Sequence, residues 1–200
     1  MARPVVLPAP GRGSYDRSLT RAERDAEHRE RLLRATAKVM SDGPLTVARI
    51  VQRAGVGRST FYEFFDSPEH LLEQLEQRLL RHLEAALGAG MAEARTPFER
   101  LRAIARSWIT TLEQHQLEAR VVMGRTGRAL LSPPGELLYQ TLQRAVEVAR
   151  REMGGLKTTD DVSVLAAAAA AEAISRRHLT LAPLREAPRV LAEVMIKLLR

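Results

Sequence analysis

A short polar segment carries the side chains whose chemistry is most informative. Its members are Arg58, Ser59, Thr60, Tyr62 and Glu63. An arginine can donate two parallel hydrogen bonds to guanine O6 and N7, and a glutamate can accept one from cytosine N4. Hydroxyl groups suit phosphate oxygens. Helical spacing turns Arg58, Ser59, Tyr62 and Glu63 outward and directs Phe61 and Phe65 inward. The segment therefore has the chemistry of a surface that contacts nucleic acid.

Two short predicted helices, 46–54 and 57–65, position this polar segment. The turn between them contains Gly55, which permits a positive φ, and a short glycine-containing turn between two helices predicts a helix-turn-helix. Ile50, Val51 and Val56 are predicted to face inward and hold the pair together. Thr46 can offer a hydroxyl and a helix N-terminus to phosphate, and Arg49 is a further candidate contact.

The amino-acid composition excludes several classes of protein. Of the 200 residues, 45% are hydrophobic and 28% charged, which excludes a wholly disordered chain. The formal net charge of +7 favours polyanionic partners, and the absence of cysteine excludes disulfides and thiol catalysis. The longest apolar run, 164–171, is too short to span a bilayer. We therefore expect a soluble, cytoplasmic protein that does not interact with membranes.

The apolar spacing predicts an all-α fold with no sheet. Pairs such as Glu27–Arg31 and Glu30–Arg34, four residues apart, support the first helix on its solvated side. Ser67-Pro68 and Thr96-Pro97 mark helix starts, because each places a capping residue before a proline. The predicted helices, about nine in number, span 20–41, 46–54, 57–65, 68–87, 97–115, 117–131, 135–153, 159–179 and 187–199.

No motif for catalysis or cofactor binding accompanies these helices. The histidines form neither HExxH nor the repeated ExxH set of a di-iron bundle, so no metal is expected. Phosphate-cradling GxxxxGK[ST] and nucleophilic GxSxG sequences are also missing. The sequence predicts that the protein is not an enzyme and has no catalytic residues and no cofactor.

Residues 46–65 resemble the DNA-binding motif of TetR/AcrR-family transcriptional regulators. The specific elements are Thr46, Ile50, Ala54-Gly55-Val56, Tyr62, Phe65 and Ser67-x-Glu69-x-Leu71. The similarity extends over about residues 28–83, two fifths of the chain. It implies a three-helix DNA-binding domain, a C-terminal ligand-binding and dimerisation domain, and repression relieved by a small molecule.

Three residues depart from the family's pattern. Gly57 stands where serine or threonine often caps the recognition helix, which weakens that cap. Phe64 replaces the common histidine or tyrosine, and Pro68 replaces the usual lysine, so two phosphate contacts are in doubt. The domain organisation expected from the whole pattern is a flexible basic arm at 1–18, the helix-turn-helix domain at 19–67, a linking helix at 68–87 and an effector-binding and dimerisation domain at 88–200. Arg12 and Arg17 of the arm are candidate DNA contacts that could compensate for these two, and a disordered tail without DNA contacts is the alternative interpretation of the arm.

The predicted helices of the C-terminal half carry apolar stripes and no recognisable functional motif. Core packing is the default interpretation of such stripes, and a cavity between helices is the functional one. The candidate effector-binding residues are Trp108, Leu112, Met123, Tyr139 and Leu142. His115 and Arg120 are candidate polar anchors, although exposed positions for both are the more ordinary interpretation.

Two C-terminal helices are expected to form a homodimer. Within helix 159–179, the segment 162–173 is apolar on nearly every side and should be buried on every side, and with the amphipathic helix 187–199 it can build an intersubunit four-helix bundle. The alternative is a helix central to its own subunit. A dimer would place two reading helices about one DNA turn (~34–36 Å) apart on a palindrome. The resulting hypothesis is a repressor released from double-stranded DNA by a small, largely apolar effector. An activator, a regulator without ligand, a small-molecule-binding protein with a degenerate helix-turn-helix and an all-α enzyme remain alternatives.

Overall fold

The computed structural model describes residues 20–125, 129–153, 160–180 and 186–199, and within these ranges it contains nine α-helices and no strand. The helices are α1 (Arg21–Asp42), α2 (Val47–Ala54), α3 (Arg58–Phe64), α4 (Pro68–Glu93), α5 (Pro97–Gln114), α6 (Gln116–Gly124), α7 (Pro133–Met153), α8 (Asp161–Thr180) and α9 (Ala187–Leu198). The predicted all-α class is confirmed. The chain forms two compact units, Met1–Glu73 and Gln74–Arg200, whose boundary falls within α4.

The first unit packs α1, α2 and α3 with the start of α4 around a small apolar core. Thr20 begins α1 through a capping box, in which its backbone N–H donates to Glu23 Oε2 at 2.7 Å and its hydroxyl accepts from the Glu23 N–H. The fully buried side chains include Leu32, Ile50, Phe61, Phe65 and Leu71. The predicted inward positions of Ile50, Phe61 and Phe65 are confirmed, whereas Val51 and Val56 are only half-buried.

The second unit has a larger core centred on α5. Thr96 and Glu99 form a capping box at the predicted helix start, and Pro97 occupies the first helical turn. Trp108 of α5 is fully buried, and its Nε1 donates to Ser175 Oγ of α8 at 2.7 Å. Leucine, alanine and methionine side chains from the second part of α4 and from α5 to α9 complete this core.

Two helix ends differ from prediction. Helix α4 continues to Glu93 instead of stopping at residue 87. A Cβ atom at Gly90 would lie 2.7 Å from Ser107 Oγ of α5, so the glycine leaves room for this hydroxyl. The predicted helix 117–131 ends early at Gly124, and Arg125 leaves helical geometry with φ −79° and ψ 82°. The chain then takes a bend around residues 129–131, where the Ser132 N–H donates to the Glu172 carboxylate at 3.0 Å.

Helix α8 is not buried on every side within its own subunit, and its burial by a second subunit stays a prediction. Val164, Ala167 and Ala171 of α8 are buried, but Val162 is 71% exposed. Ala166 and Ala173 are exposed as well. Helix α8 therefore presents one apolar face to its own unit and leaves a stripe of small apolar residues uncovered.

Candidate nucleic-acid interface

Helices α2 and α3 form the predicted helix-turn-helix. Gly55 has φ 65° and ψ 38°, the left-handed conformation that glycine adopts without strain. The Gly55 N–H donates to Gln52 O at 3.3 Å and the Val56 N–H to Val51 O at 3.1 Å. These bonds satisfy two carbonyl groups at the end of α2 and turn the chain sharply into α3.

Helix α3 presents the predicted polar face to solvent. Arg58, Ser59 and Glu63 are exposed, and Tyr62 is 51% exposed. Its ring meets the buried Phe61 ring edge-on at 5.3 Å, so core packing fixes the direction of the tyrosine. The outward orientation is confirmed, and contact between these side chains and bases stays a prediction.

The remaining α3 positions show how the helix is held. Gly57 is the N-cap and makes no side-chain cap bond, so the weakened cap is confirmed. Thr60 is half-buried, which leaves its hydroxyl less available for the predicted phosphate contact. Phe64 is also half-buried and lies against Phe65 with ring centroids 6.5 Å apart. An aromatic ring at position 64 therefore adds packing where the family often has a polar contact.

Thr46 and Arg49 both have local structural tasks. The Thr46 hydroxyl accepts from the Arg49 N–H at 3.4 Å and caps α2. The Arg49 guanidinium donates to Pro44 O at 2.9 Å and to Asp42 O at 3.3 Å, so it holds the turn between α1 and α2. Phosphate contacts by either residue stay predictions. Arg12 and Arg17, the predicted contacts of the arm, lie outside the described residues.

One residue of this unit escaped the sequence analysis. Arg31 was expected in an exposed pair with Glu27, but its guanidinium instead contacts the turn of the helix-turn-helix. Nε and Nη2 donate to Ala54 O at 3.0 and 2.7 Å, and Nη2 also donates to Gly55 O at 3.1 Å. The spacing of Arg31 along α1 is equally compatible with both arrangements, and only the fold brings the turn within reach.

The start of α4 follows the predicted chemistry. Ser67 precedes Pro68, and its hydroxyl accepts from the His70 N–H at 3.1 Å, which caps the helix. His70 also lies edge-on to the buried ring of Phe65 at 5.9 Å. The proline therefore begins a well-capped helix despite the loss of the usual lysine.

The candidate effector-binding residues are packed among core side chains of the second unit. Trp108, Leu112, Met123 and Leu142 are at most 1% exposed. Tyr139 is half-buried, and its hydroxyl accepts from Gln143 Nε2 at 2.8 Å. Two surface grooves, of about 400 Å³ between α5 and α9 and about 310 Å³ between α7 and α8, are lined by other residues. A ligand-lining role for the five residues stays a prediction.

A polar cluster joins α4 to the junction of α5 and α6. Arg78 pairs with Glu118, and His115 Nδ1 lies 3.4 Å from Glu118 Oε2. The His82 and His115 rings stack with centroids 4.1 Å apart and planes 14° apart. Partial burial of the ring lowers the pKa of His82, and the facing charge of a protonated His115 lowers this pKa further.

The predicted polar anchors are engaged within the protein. His115 belongs to this cluster, and Arg120 donates from Nε to Leu179 O at 2.6 Å at the end of α8. Within the described ranges no helix is long and apolar enough to cross a membrane. In the same part of the chain no group of three or more histidine, aspartate or glutamate side chains is arranged to hold a metal ion.

A helix-turn-helix that exposes a polar face to solvent is typical of DNA-binding regulators. Residues 32–75 match the family model described as bacterial regulatory proteins of the tetR family. This match includes the end of α1, all of α2 and α3, and the first residues of α4. No curated protein sequence matches the chain significantly.

Solved structures extend the likeness over most of the chain. A protein assigned to the TetR family from Syntrophomonas wolfei has a TM-score of 0.72 at 14% identity, over 87% of this chain and 95% of that one. PfmR of Thermus thermophilus has a TM-score of 0.64 at 21% identity, over 91% and 97%. FadR of the same species, a TetR-family repressor solved with lauroyl-CoA, has a TM-score of 0.58 at 22% identity, over 86% and 93%.

Residues 32–75 therefore form a DNA-binding domain of the TetR family. The solved structures show that the fold of these proteins is shared over most of the chain. The resemblance drawn from the helix-turn-helix motif is confirmed.

Proposed function

We propose that this protein is a homodimeric repressor that binds a palindromic operator and is released by a small, largely apolar effector. The observation that carries the proposal is the exposed polar face of α3, which is formed by Arg58, Ser59, Tyr62 and Glu63. Each subunit places α3 in a major groove, with Arg58 near the end that enters first. Thr46, Arg49, Thr60, Arg12 and Arg17 are proposed as supporting DNA contacts.

Dimerisation is proposed through the uncovered stripes of α8 and α9. Val162, Ala166 and Ala173 follow one side of α8, and Val190 and Leu198 are 41% and 38% exposed on α9. Small residues let two helices approach closely, and a second copy of the same stripe would remove this apolar surface from water. Two α8–α9 pairs then form the four-helix bundle expected from the sequence.

Dimerisation is tested by placing a charge within the α8 stripe. Ala173→Glu should convert the dimer to a monomer in light-scattering measurements, because a buried unpaired carboxylate is costly. Ala85→Glu, at an exposed position of α4, is the matched control and should leave the dimer intact. A dimer that survives Ala173→Glu unchanged would show that the subunits meet elsewhere.

The effector is proposed to enter the core between α5, α6 and α7, among Trp108, Leu112, Met123, Tyr139 and Leu142. Because these side chains are packed, ligand entry must displace them, and flexible methionine suits such rearrangement. The ion pair of Arg78 with Glu118 and the stack of His82 on His115 transmit the displacement to α4. Effector and operator then weaken each other's binding by the same factor.

Acyl thioesters are the first probes for this effector. FadR of Thermus thermophilus was solved with lauroyl-CoA, and a fatty acid degradation regulator from Bacillus halodurans shares this fold. Trp108 is the sole tryptophan, so its fluorescence reports directly on the core of the second unit. Lauroyl-CoA should change this fluorescence saturably, and coenzyme A alone should not.

Operator binding is tested by selecting bound duplexes from a random DNA pool. The proposal predicts a palindromic winner bound about a thousandfold or more tightly than a scrambled duplex. Addition of an effector should release that complex. Weak binding that disappears as salt rises, with no enriched sequence, would leave only generic electrostatics and favour a small-molecule-binding protein whose helix-turn-helix no longer functions.

A further inference from the structure

We propose that Arg31 is a positioning residue for DNA recognition: it fixes the turn between α2 and α3 and thereby sets the direction of the recognition helix without touching DNA. The inference deepens the proposed function and rests on it. It concerns the first unit alone, in which α1 supplies the arginine and α2 and α3 supply the turn.

The turn leaves two carbonyl groups for a partner outside it. The backbone of the turn already satisfies Val51 O and Gln52 O, through the Val56 and Gly55 N–H groups. Ala54 O and Gly55 O take no part in these bonds and accept from the Arg31 guanidinium. The arginine therefore completes the capping that the glycine turn begins.

A guanidinium suits this place for reasons of charge and shape. The C-terminal end of α2 carries partial negative charge, which a cation stabilises, and hydrogen bonds from a cation are stronger than neutral ones. The planar fork reaches Ala54 O with two N–H groups while it still donates to Gly55 O. A lysine ammonium has the charge but lacks this fork, so it cannot reproduce the geometry.

Arg31 extends from a well-packed part of α1. Arg31 is half-buried and directly precedes Leu32, whose side chain is fully buried in the core of the unit. The acceptors of Arg31 are Ala54 O and Gly55 O, and Gly55 lies only three positions before Arg58, the first residue of α3. A shift of the turn is therefore transmitted directly to the side chains that face DNA, and bidentate base contacts tolerate little misplacement.

The space around Gly55 shows how closely the guanidinium approaches. A Cβ atom added at Gly55 would lie 2.9 Å from Arg31 Nη2, and φ at this position is +65°. The glycine is thus required twice, once for the backbone conformation and once for the approach of the arginine. Both requirements apply to Gly55, so the same glycine permits the turn and leaves room for the Arg31 guanidinium.

The test compares Arg31→Met and Arg31→Lys with Arg34→Met. Arg34 lies on the same helix and pairs with Glu30 at 2.8 Å, so its replacement removes the same charge away from the turn. Affinity for the selected operator and for a scrambled duplex is measured over a range of salt concentrations, below the unfolding temperature of every variant. Hydrogen exchange of the Val56 amide is measured on the free protein.

We expect Arg31→Met to lower operator affinity by about tenfold, as for the loss of hydrogen bonds to a charged group, and to reduce scrambled binding much less. The salt slope should not change, Arg31→Lys should recover part of the affinity, and Val56 exchange should accelerate only in the Arg31 variants. Arg34→Met should preserve the ratio of operator to scrambled binding.

Two results would overturn the inference. Equal losses on both duplexes with a salt slope smaller by about one would make Arg31 a phosphate contact. Unchanged Val56 exchange in Arg31→Met would show that the arginine does not hold the turn. If the wild-type protein prefers no duplex, the proposed function fails, and the exchange measurement still decides whether Arg31 fixes the turn.

Discussion

Helix α3 of the first unit and the core of the second unit use polar side chains in opposite ways. In the first unit the polar residues of α3 point to solvent over a small aromatic core formed by Phe61 and Phe65. In the second unit polar groups turn inward, as in the hydrogen bond from Trp108 to Ser175 and in the buried carboxylate of Glu172. The first arrangement leaves donors and acceptors available to an external partner, whereas the second commits them to internal structure.

Under the proposed function, this difference assigns DNA recognition to the first unit and the response to an effector to the second. A preformed exposed surface can contact DNA without reorganising its own core, which keeps the entropic cost of binding low. A core with paired buried polar groups has few alternative arrangements, because each unpaired group would be costly. A ligand that enters the second unit must therefore replace one specific set of contacts with another, which suits a two-state switch.

The largest expected effect is a difference in stability between a core variant and a surface variant of the first unit. Phe61→Ala should lower the free energy of unfolding by about 3–5 kcal/mol, because it empties a fully buried site. The neighbouring Tyr62→Ala should change stability by about 0.5 kcal/mol or less, as expected for an exposed residue. Urea unfolding of both variants checks the contrast. Similar losses in the two variants would mean that the outer face of α3 also carries the fold.

A smaller effect tests the inward polar groups of the second unit. Gly135→Ala places a Cβ where the Glu172 carboxylate lies, so it should destabilise by about 1–3 kcal/mol even though alanine favours helices. Gly88→Ala is the matched control, since a Cβ there has open space, and it should stabilise by about 0.5–1 kcal/mol. Thermal unfolding measures both. Equal rises in melting temperature would show that the carboxylate is not held against α7.

Removal of one hydroxyl from the recognition face should have a modest effect. Tyr62→Phe should weaken operator binding by about 1 kcal/mol through the loss of one hydrogen bond to phosphate. The order of preference among base-substituted duplexes should stay the same in anisotropy titrations. A changed order would assign Tyr62 to base reading instead.

The smallest effect is a pH dependence of the second unit. The pKa of His82 lies below its ordinary value of 6.5, so the folded chain binds fewer protons than the unfolded chain when the pH falls. The stability that comes from the neutral ring is therefore present above the unfolded pKa and is lost as the pH falls through the folded pKa. The groups that face the ring are His115, Glu118, Arg78 and Arg81.

Urea unfolding between about pH 5 and pH 7.5 measures this dependence. His82→Gln should flatten the acidic decline, while His28→Gln, a histidine variant in the first unit, should keep it. Identical pH profiles for the wild type and His82→Gln would show that the stacked ring does not contribute.

The sequence was most informative where local chemistry decides the structure. The helix starts at Thr46 and Thr96, the left-handed glycine at position 55 and the inward aromatics of α3 are each encoded within a few residues. The family resemblance rests on this same segment. Helix bounds in the first unit were accordingly predicted to within about two residues.

Long-range contacts explain what the sequence did not reveal. Arg31 bonds to carbonyl groups more than twenty positions away, and Glu172 takes the Ser132 N–H across forty positions. The same limit applies to the second unit, where apolar spacing identifies Trp108 and Met123 as inward but cannot distinguish a packed core from a ligand cavity. Periodicity reports which face is buried and not what covers it.

The central claim is that α3 reads base edges, and Arg58 tests it most directly. Every base pair of the selected operator half-site is substituted in turn, and affinities are compared for wild type, Arg58→Ala and the charge-matched control Arg53→Ala. Arg58→Ala should cost about 1–3 kcal/mol and remove the preference at one position of each half-site. Arg53→Ala should leave the base preferences unchanged. An equal loss on every duplex, with a salt slope smaller by about one, would contradict the account and make Arg58 a phosphate contact.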